Sequence, residues 1–172
     1  KHCVIISFLK GKKTSKVKNN HCKQVGKMLG ILHQDSKDFL QKRNNTMNYN
    51  QWKNIFLKSQ NANHNKFNGI MSNIDEELSY LEAEWPKDLP AGIIHADVFQ
   101  DNVFFKDNEF SGLIDFYFAC NDFFAYDIAL TINAWCFENK AKFKKEKFLN
   151  LIQGYENLRP LIKIEKKHLS TL

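Results

Sequence analysis

Ile93-Ile94 runs into His95-Ala96-Asp97-Val98-Phe99-Gln100-Asp101-Asn102, and a second apolar pair, Leu113-Ile114, runs into Asp115. Each half has one form: a short apolar strand that ends on oxygen-bearing side chains. Between them, Val103-Phe104-Phe105 and Phe110 to Ile114 are apolar enough to pair as a hairpin across Lys106-Asp107-Asn108-Glu109. Such a hairpin folds Asp115 back beside Asn102, so the polar centre lies where strands end. Asp and Asn also suit ordinary turns, and one of them alone would mean no more than that. Together, the H-x-D-x-x-x-x-N spacing and the later carboxylate point to phosphoryl transfer. That chemistry needs a carboxylate to take the proton of the attacking hydroxyl, and an amide oxygen plus a second carboxylate to hold Mg²⁺ on nucleotide phosphates. Asp97, Asn102 and Asp115 supply those groups.

The 172 residues suit one domain or a large lobe, and 43% hydrophobic content with 15 Phe is enough for a core. A net charge of +6 raises the question of nucleic acid, but the lysines are spread along the chain with no arginine-rich patch. Neither nucleic acid nor a membrane is expected as a partner. No apolar run reaches the length of a membrane span and no signal peptide is visible. Cys3, Cys22, Cys120 and Cys136 form no C-x-x-C pair, so scattered free thiols in a reducing cytoplasm are expected.

Along the chain, Cys3 to Leu9 reads as a strand, Lys10-Gly11-Lys12-Lys13 as a turn, and the lysines up to Lys18 as a solvated loop. Cys22, Val25, Leu29 and Leu32 predict a helix over 19–33, with His33 capping its last carbonyls. Residues 34–66 read as polar loop around a short helix near 50–58, and Ser59 to Asn65 as a flexible connection with a solvated His64. Phe67, Ile70, Met71, Ile74, Leu78, Leu81 and Trp85 make the core stripe of a helix over 67–85, which Pro86 and Pro90 stop. Phe116 to Cys120 reads as loop, Asn121 or Asp122 as the cap of a helix carrying Ile128, Ala129, Ile132, Trp135 and Cys136 inward. A helix over 142–158 follows, with Phe148, Leu151, Ile152, Tyr155 and Leu158 as its face, and a charged helical tail closes the chain.

Gly92 to Phe105, Ser111 to Cys120 and Tyr126 to Phe137 resemble the phosphotransferases with a protein-kinase-like fold, the aminoglycoside and choline kinases, and within them the bacterial homoserine kinases. His95-Ala96-Asp97, where the wider superfamily usually has His-Gly-Asp, and Asp115-Phe116-Tyr117 carry the narrower resemblance. It implies an α+β fold: the mainly helical C-terminal lobe of a kinase, with short β-hairpins carrying the catalytic loop. Residues 1–10 would be the interlobe hinge and residues 11–172 the lobe, with the N-terminal lobe absent and the C-terminal end cut short. The missing phosphate-covering loop and strand lysine would leave the 172-residue chain with little or no turnover.

Under this resemblance ATP and Mg²⁺ are the cofactors and L-homoserine the substrate. Asp97 would be the catalytic base, Asn102 and Asp115 the metal ligands, and the backbone of Ser7, Phe8 and Leu9 the adenine contact. His95 would be a structural member of the loop, and Asp127 would brace it by accepting backbone N–H bonds. Asp101 stays open between a surface carboxylate and recognition of an amino group, and Asn133 and Trp135 are further substrate contacts to test. A choline, amino-alcohol or aminoglycoside kinase, or a non-catalytic remnant, are the alternatives.

Overall fold

The computed structural model describes residues 7–60, 68–139 and 142–172. Its elements are α1 (Asn19–Asp35), α2 (Tyr49–Gln60), α3 (Asn68–Glu84), β1 (Ala91–Ile94), β2 (Val103–Lys106), β3 (Glu109–Leu113), β4 (Cys120–Phe123), α4 (Phe124–Trp135), β5 (Phe137–Glu138), β6 (Lys142–Phe143), α5 (Lys145–Glu156) and α6 (Lys163–His168). The strands form antiparallel pairs, β1 with β4, β2 with β3 and β5 with β6. The architecture is α+β and mainly helical, as the sequence predicts. The expected strand over Cys3 to Leu9 lies partly outside the described residues, and Ser7, Phe8 and Leu9 have no regular secondary structure. The flexible tract and His64 lie largely or wholly outside them too, as does Phe67.

The main core joins α1, α4, α5 and the hairpin. Cys22, Val25 and Leu29 of α1 meet Ile128, Ile132 and Trp135 of α4, Leu151 and Tyr155 of α5, and Val103 and Phe105 of β2. Helices α1 and α5 cross at unusual proximity because each places a glycine at the contact. A Cβ on Gly26 would stand 2.0 Å from the Leu151 carbonyl oxygen, and one on Gly154 would stand 2.0 Å from that of Lys23. Glycine in a helix interior ordinarily costs about 1 kcal/mol against alanine; here it removes the side chains that would hold the backbones apart.

The hairpin turn is shorter than the sequence suggested. Lys106 pairs with Glu109, leaving Asp107 and Asn108 as a two-residue turn with φ of 55° and 66°. Asp and Asn are the non-glycine residues that best tolerate this left-handed pair, whose twist matches the strands. The expected Lys10–Lys13 turn is docked rather than free. Lys12 exchanges both backbone hydrogen bonds with Phe105, at 2.8 and 2.9 Å.

Three further expectations need correction. Cys120 is not loop and Asn121 and Asp122 are not helix caps: all lie in β4, where Ile94 faces Cys120 and Ile93 faces Asn121. The edge of β4 is completed from the polar segment, with Asn121 N donating to Arg43 O at 2.7 Å and Arg43 N donating to Asn121 Oδ1 at 2.8 Å. The α3 stripe is core only in its second half. Leu78 and Leu81 are buried against Tyr49 and Phe56 of α2, whereas Ile70 is 56% exposed and Ile74 38%. Residues Lys142 and Phe143 belong to β6, so the helix expected from 142 begins at Lys145.

Gly154→Ala forces a methyl group into a backbone carbonyl across the crossing, and is expected to destabilise the fold by about 3 kcal/mol. A denaturant midpoint in the full-length protein measures this; an unchanged midpoint would mean that the helices separate without cost.

Candidate active site

The site is built where β1 ends. Ile94 is fully buried in a cluster with Cys120, Phe124 and Tyr126 and fixes the strand's last residue. The chain then reverses through Ala96, whose φ of 61° lies in the left-handed region. A side chain there costs about 1–2 kcal/mol, which explains why a glycine would be the more comfortable residue. His95 is buried and holds the loop at two points. Its Nε2 contacts Ile114 O at 3.1 Å, and its Nδ1 accepts from Asp97 N at 3.2 Å. Those partners assign the Nε2–H tautomer. The Phe116 ring lies 4.6 Å from the His95 ring.

Asn102 clamps Asp97. Its amide nitrogen donates to Asp97 O at 2.9 Å and to Asp97 Oδ2 at 3.0 Å. The Asn102 carbonyl accepts from Ile114 N at 3.0 Å, which sets Asp115 beside Asn102. Asp115 has φ 64° and ψ 61° and starts a single 3₁₀ turn, Phe116–Phe118. The hairpin thus brings together three groups that are separated in sequence. Burial pushes the Asp97 carboxyl above its usual range, the Asn102 hydrogen bond opposes that shift, and the negative charges of Asp115 and Asp101 add to it. A carboxylate so disposed is a better proton acceptor than a solvated one.

Among the described residues no cluster of three or more His, Cys, Asp or Glu could hold a metal unaided. The donor set nevertheless fits a hard cation shared with phosphates. With its nitrogen committed to Asp97, the Asn102 amide leaves its oxygen free to coordinate, and Asp115 is exposed and receives no hydrogen bond from the described residues.

Asp127 lies beneath the loop in the first turn of α4. Its Oδ1 accepts from Ala96 N and its Oδ2 from His95 N, each at 2.9 Å. The loop is also held from its other end. Trp135 Nε1 donates to Val98 O at 2.7 Å and Gln100 Nε2 to Ala134 O at 2.8 Å. Trp135 is fully buried with its one donor used, so it supports the loop and presents no surface to a substrate. Asn133 is exposed. It lines a separate cavity of about 480 Å³ with Phe137, Phe143 and Phe148, because its position on α4 is turned away from Asp127 and Trp135. Asp101 is exposed and near enough to Asp97 to act on it through charge. Phe8 is 90% exposed, and Leu9 packs over Gly112 of β3.

One residue at this site departs from its expected role. His33 does not cap the end of α1. It is fully buried, and its Nε2 lies 3.1 Å from Asp127 Oδ2. The spacing Val25-Leu29-His33 on the buried stripe was the available signal.

Ala96→Gly relieves the left-handed strain at a cost in unfolded-chain entropy, and a net gain of about 0.5–1 kcal/mol is expected. A denaturant midpoint that does not rise would show that the loop carries no strain at Ala96.

The model of the phosphotransferase enzyme family (APH) matches residues 1–161. Homoserine kinase of Agrobacterium fabrum is 47% identical over 168 residues, 98% of this chain and 52% of that protein. Homoserine kinase of Rhizobium etli is 44% identical over 157 residues, 91% of this chain and 49% of that protein. The chain therefore spans about half the length of the curated relatives it matches. In structure it is similar to an aminoglycoside-3'-phosphotransferase of type VIII, with a TM-score of 0.71 at 18% identity, over 95% of this chain and 64% of that one. It is also similar to amicoumacin kinase in complex with AMP-PNP and Ca²⁺, with a TM-score of 0.69 at 19% identity, over 94% and 50% of the two chains. These structural likenesses identify the fold as that of the kinase-like phosphotransferases, and with the family match over residues 1–161 the chain belongs to the phosphotransferase enzyme family.

Proposed function

We propose that these residues form the acceptor-activating and metal-binding lobe of an ATP-dependent kinase that phosphorylates the hydroxyl of L-homoserine. The observation that carries the chemistry is the Asn102 amide clamped on the Asp97 carboxylate with Asp115 alongside. The acceptor rests on the likeness to homoserine kinases over nearly the whole chain.

In this reading Asp97 hydrogen-bonds the homoserine hydroxyl and takes its proton as that oxygen attacks the γ-phosphorus. The bond from the γ-phosphorus to the β–γ bridging oxygen breaks and ADP leaves. Asn102 holds the carboxylate in line and, with Asp115, would bind Mg²⁺. When bound, the cation neutralises charge on the β- and γ-phosphates. The backbone of Ser7, Phe8 and Leu9 would meet the adenine, as the hinge between this lobe (residues 11–172) and an N-terminal one. His95 and Asp127 keep the loop's shape, and Asp101, on the rim, remains open to a substrate amino group. The product, O-phosphohomoserine, would belong to threonine biosynthesis in the cytoplasm. Among the described residues no helix is long and apolar enough to cross a membrane.

The test is ATP-dependent phosphorylation by the full-length protein of L-homoserine, choline and an aminoglycoside in parallel. Homoserine turnover is expected to exceed the others, and Asp97→Asn to lower kcat by about 10²–10⁴-fold. The variant should melt no lower than the wild type, because it removes a carboxylate that burial and two neighbouring charges disfavour. Preferred turnover of another acceptor would overturn the substrate assignment, and full activity in Asp97→Asn would overturn the mechanism.

A further inference from the structure

The Asp127 carboxylate is fully buried and its Oδ2 serves two donors at once, the His95 backbone and the His33 ring. Its position therefore depends on α1 as much as on the loop it braces. His33 is itself held. Its Nδ1 lies 2.8 Å from the Tyr155 hydroxyl of α5, and that hydroxyl oxygen accepts from Arg159 Nη1 at 3.1 Å. Arg159 is anchored in turn on the buried Glu165 of α6 at 2.9 Å and stacks over the Phe124 ring at 4.5 Å. Glu165 closes the series by accepting from Ile162 N at 3.1 Å.

These contacts have one consistent direction of donation. Arg159 can only donate, so the Tyr155 O–H is left to donate to His33 Nδ1, 2.8 Å away. That leaves His33 Nε2–H to donate to Asp127, which as a carboxylate only accepts. Arg159 gives to Tyr155, Tyr155 to His33, and His33 to Asp127. Each buried polar group is satisfied by the next, as groups removed from water must be.

We propose that His33 is a positioning residue for phosphoryl transfer: it fixes the Asp127 carboxylate, and through it the His95 and Ala96 backbone that aims Asp97, as the end of a donor chain from Arg159. The kinetic side of this rests on the phosphotransfer reading of Asp97. His33 does not touch the reacting atoms, so its removal should act on kcat and not on substrate binding. A histidine that only filled space would be replaced adequately by a residue of similar volume.

The experiment compares His33→Leu, His33→Gln and Tyr155→Phe with the wild type in the full-length protein. Steady-state kinetics is read beside hydrogen exchange of the His95 and Ala96 amides. His33→Leu is expected to lower kcat by about 10–100-fold with both KM values nearly unchanged, the scale of a small misplacement of a reacting group. The Gln amide nitrogen reaches the position of Nε2, so His33→Gln should recover most of that loss. Tyr155→Phe should fall between the two. Exchange at His95 and Ala96 should accelerate in the same order. Unchanged kcat and exchange in a folded His33→Leu would overturn the proposal, as would a His33→Gln no better than His33→Leu. Should His33→Leu fail to fold, an unaltered kcat and exchange pattern in Tyr155→Phe overturns it. A wild type without kinase activity would refute the phosphotransfer reading, while the amide exchange still tests the His33–Asp127 link.

Discussion

A carboxylate without access to water is tolerable only when donors surround it, and Asp127 obtains three of them: two backbone amides of the His95–Asn102 loop and the ring of His33. This single requirement ties together elements that share little sequence proximity. It fixes the start of α4 under the end of β1, draws the C-terminal end of α1 inward, and holds the loop in the left-handed turn at Ala96. Removing one donor would leave the others to restrain a charge they cannot fully solvate, so the loop and its support stand or fall together.

The apolar scaffold makes those bonds possible. The α1–α5 crossing at Gly26 and Gly154 brings the two backbones close enough for His33, about two turns beyond Gly26, to meet Tyr155, the residue after Gly154. The hairpin does the equivalent for the other half of the site. Its two-residue turn and a bulge that leaves Ser111 unpaired opposite Phe104 and Phe105 together set the register in which Asn102 and Asp115 become neighbours, and the Asn102 carbonyl bond to Ile114 locks that register at its open end. Helix packing therefore governs what lies below the loop, and strand pairing what lies above it.

Much of this was legible because local pattern and tertiary use agree. The α1 and α4 stripes, the hairpin and the strand before His95 all follow apolar periodicity, and His95, Asp97, Asn102 and Asp115 converge because strand ends place them together. What escaped the sequence was set by distant partners. The Cys120–Phe123 segment has no alternating pattern; it is a strand because β1 lies on one side and Arg43 on the other. Trp135 and Asn133 sit two residues apart on α4, yet one is sealed beneath the loop and the other lines a different cavity, a distinction made by helix rotation. His33 looked like a cap because a polar residue ended a helix, although its place in the Val25-Leu29-His33 row already put it on the buried face. The exposed first half of the α3 stripe, Ile70 and Ile74, is a reminder that periodicity marks a face and does not say what covers it.

In the proposed function, Asn102 and Asp115 present their oxygens to a cation that Asp97 does not itself need to hold. A crystal structure of the full-length protein with Mg²⁺ and a non-hydrolysable ATP analogue tests it most directly. The expected result is a metal at about 2.0–2.1 Å from both Asn102 Oδ1 and an Asp115 oxygen, with the Asn102 nitrogen still on Asp97. A metal bound without either residue, or an Asn102 amide turned away from Asp97, would contradict the account.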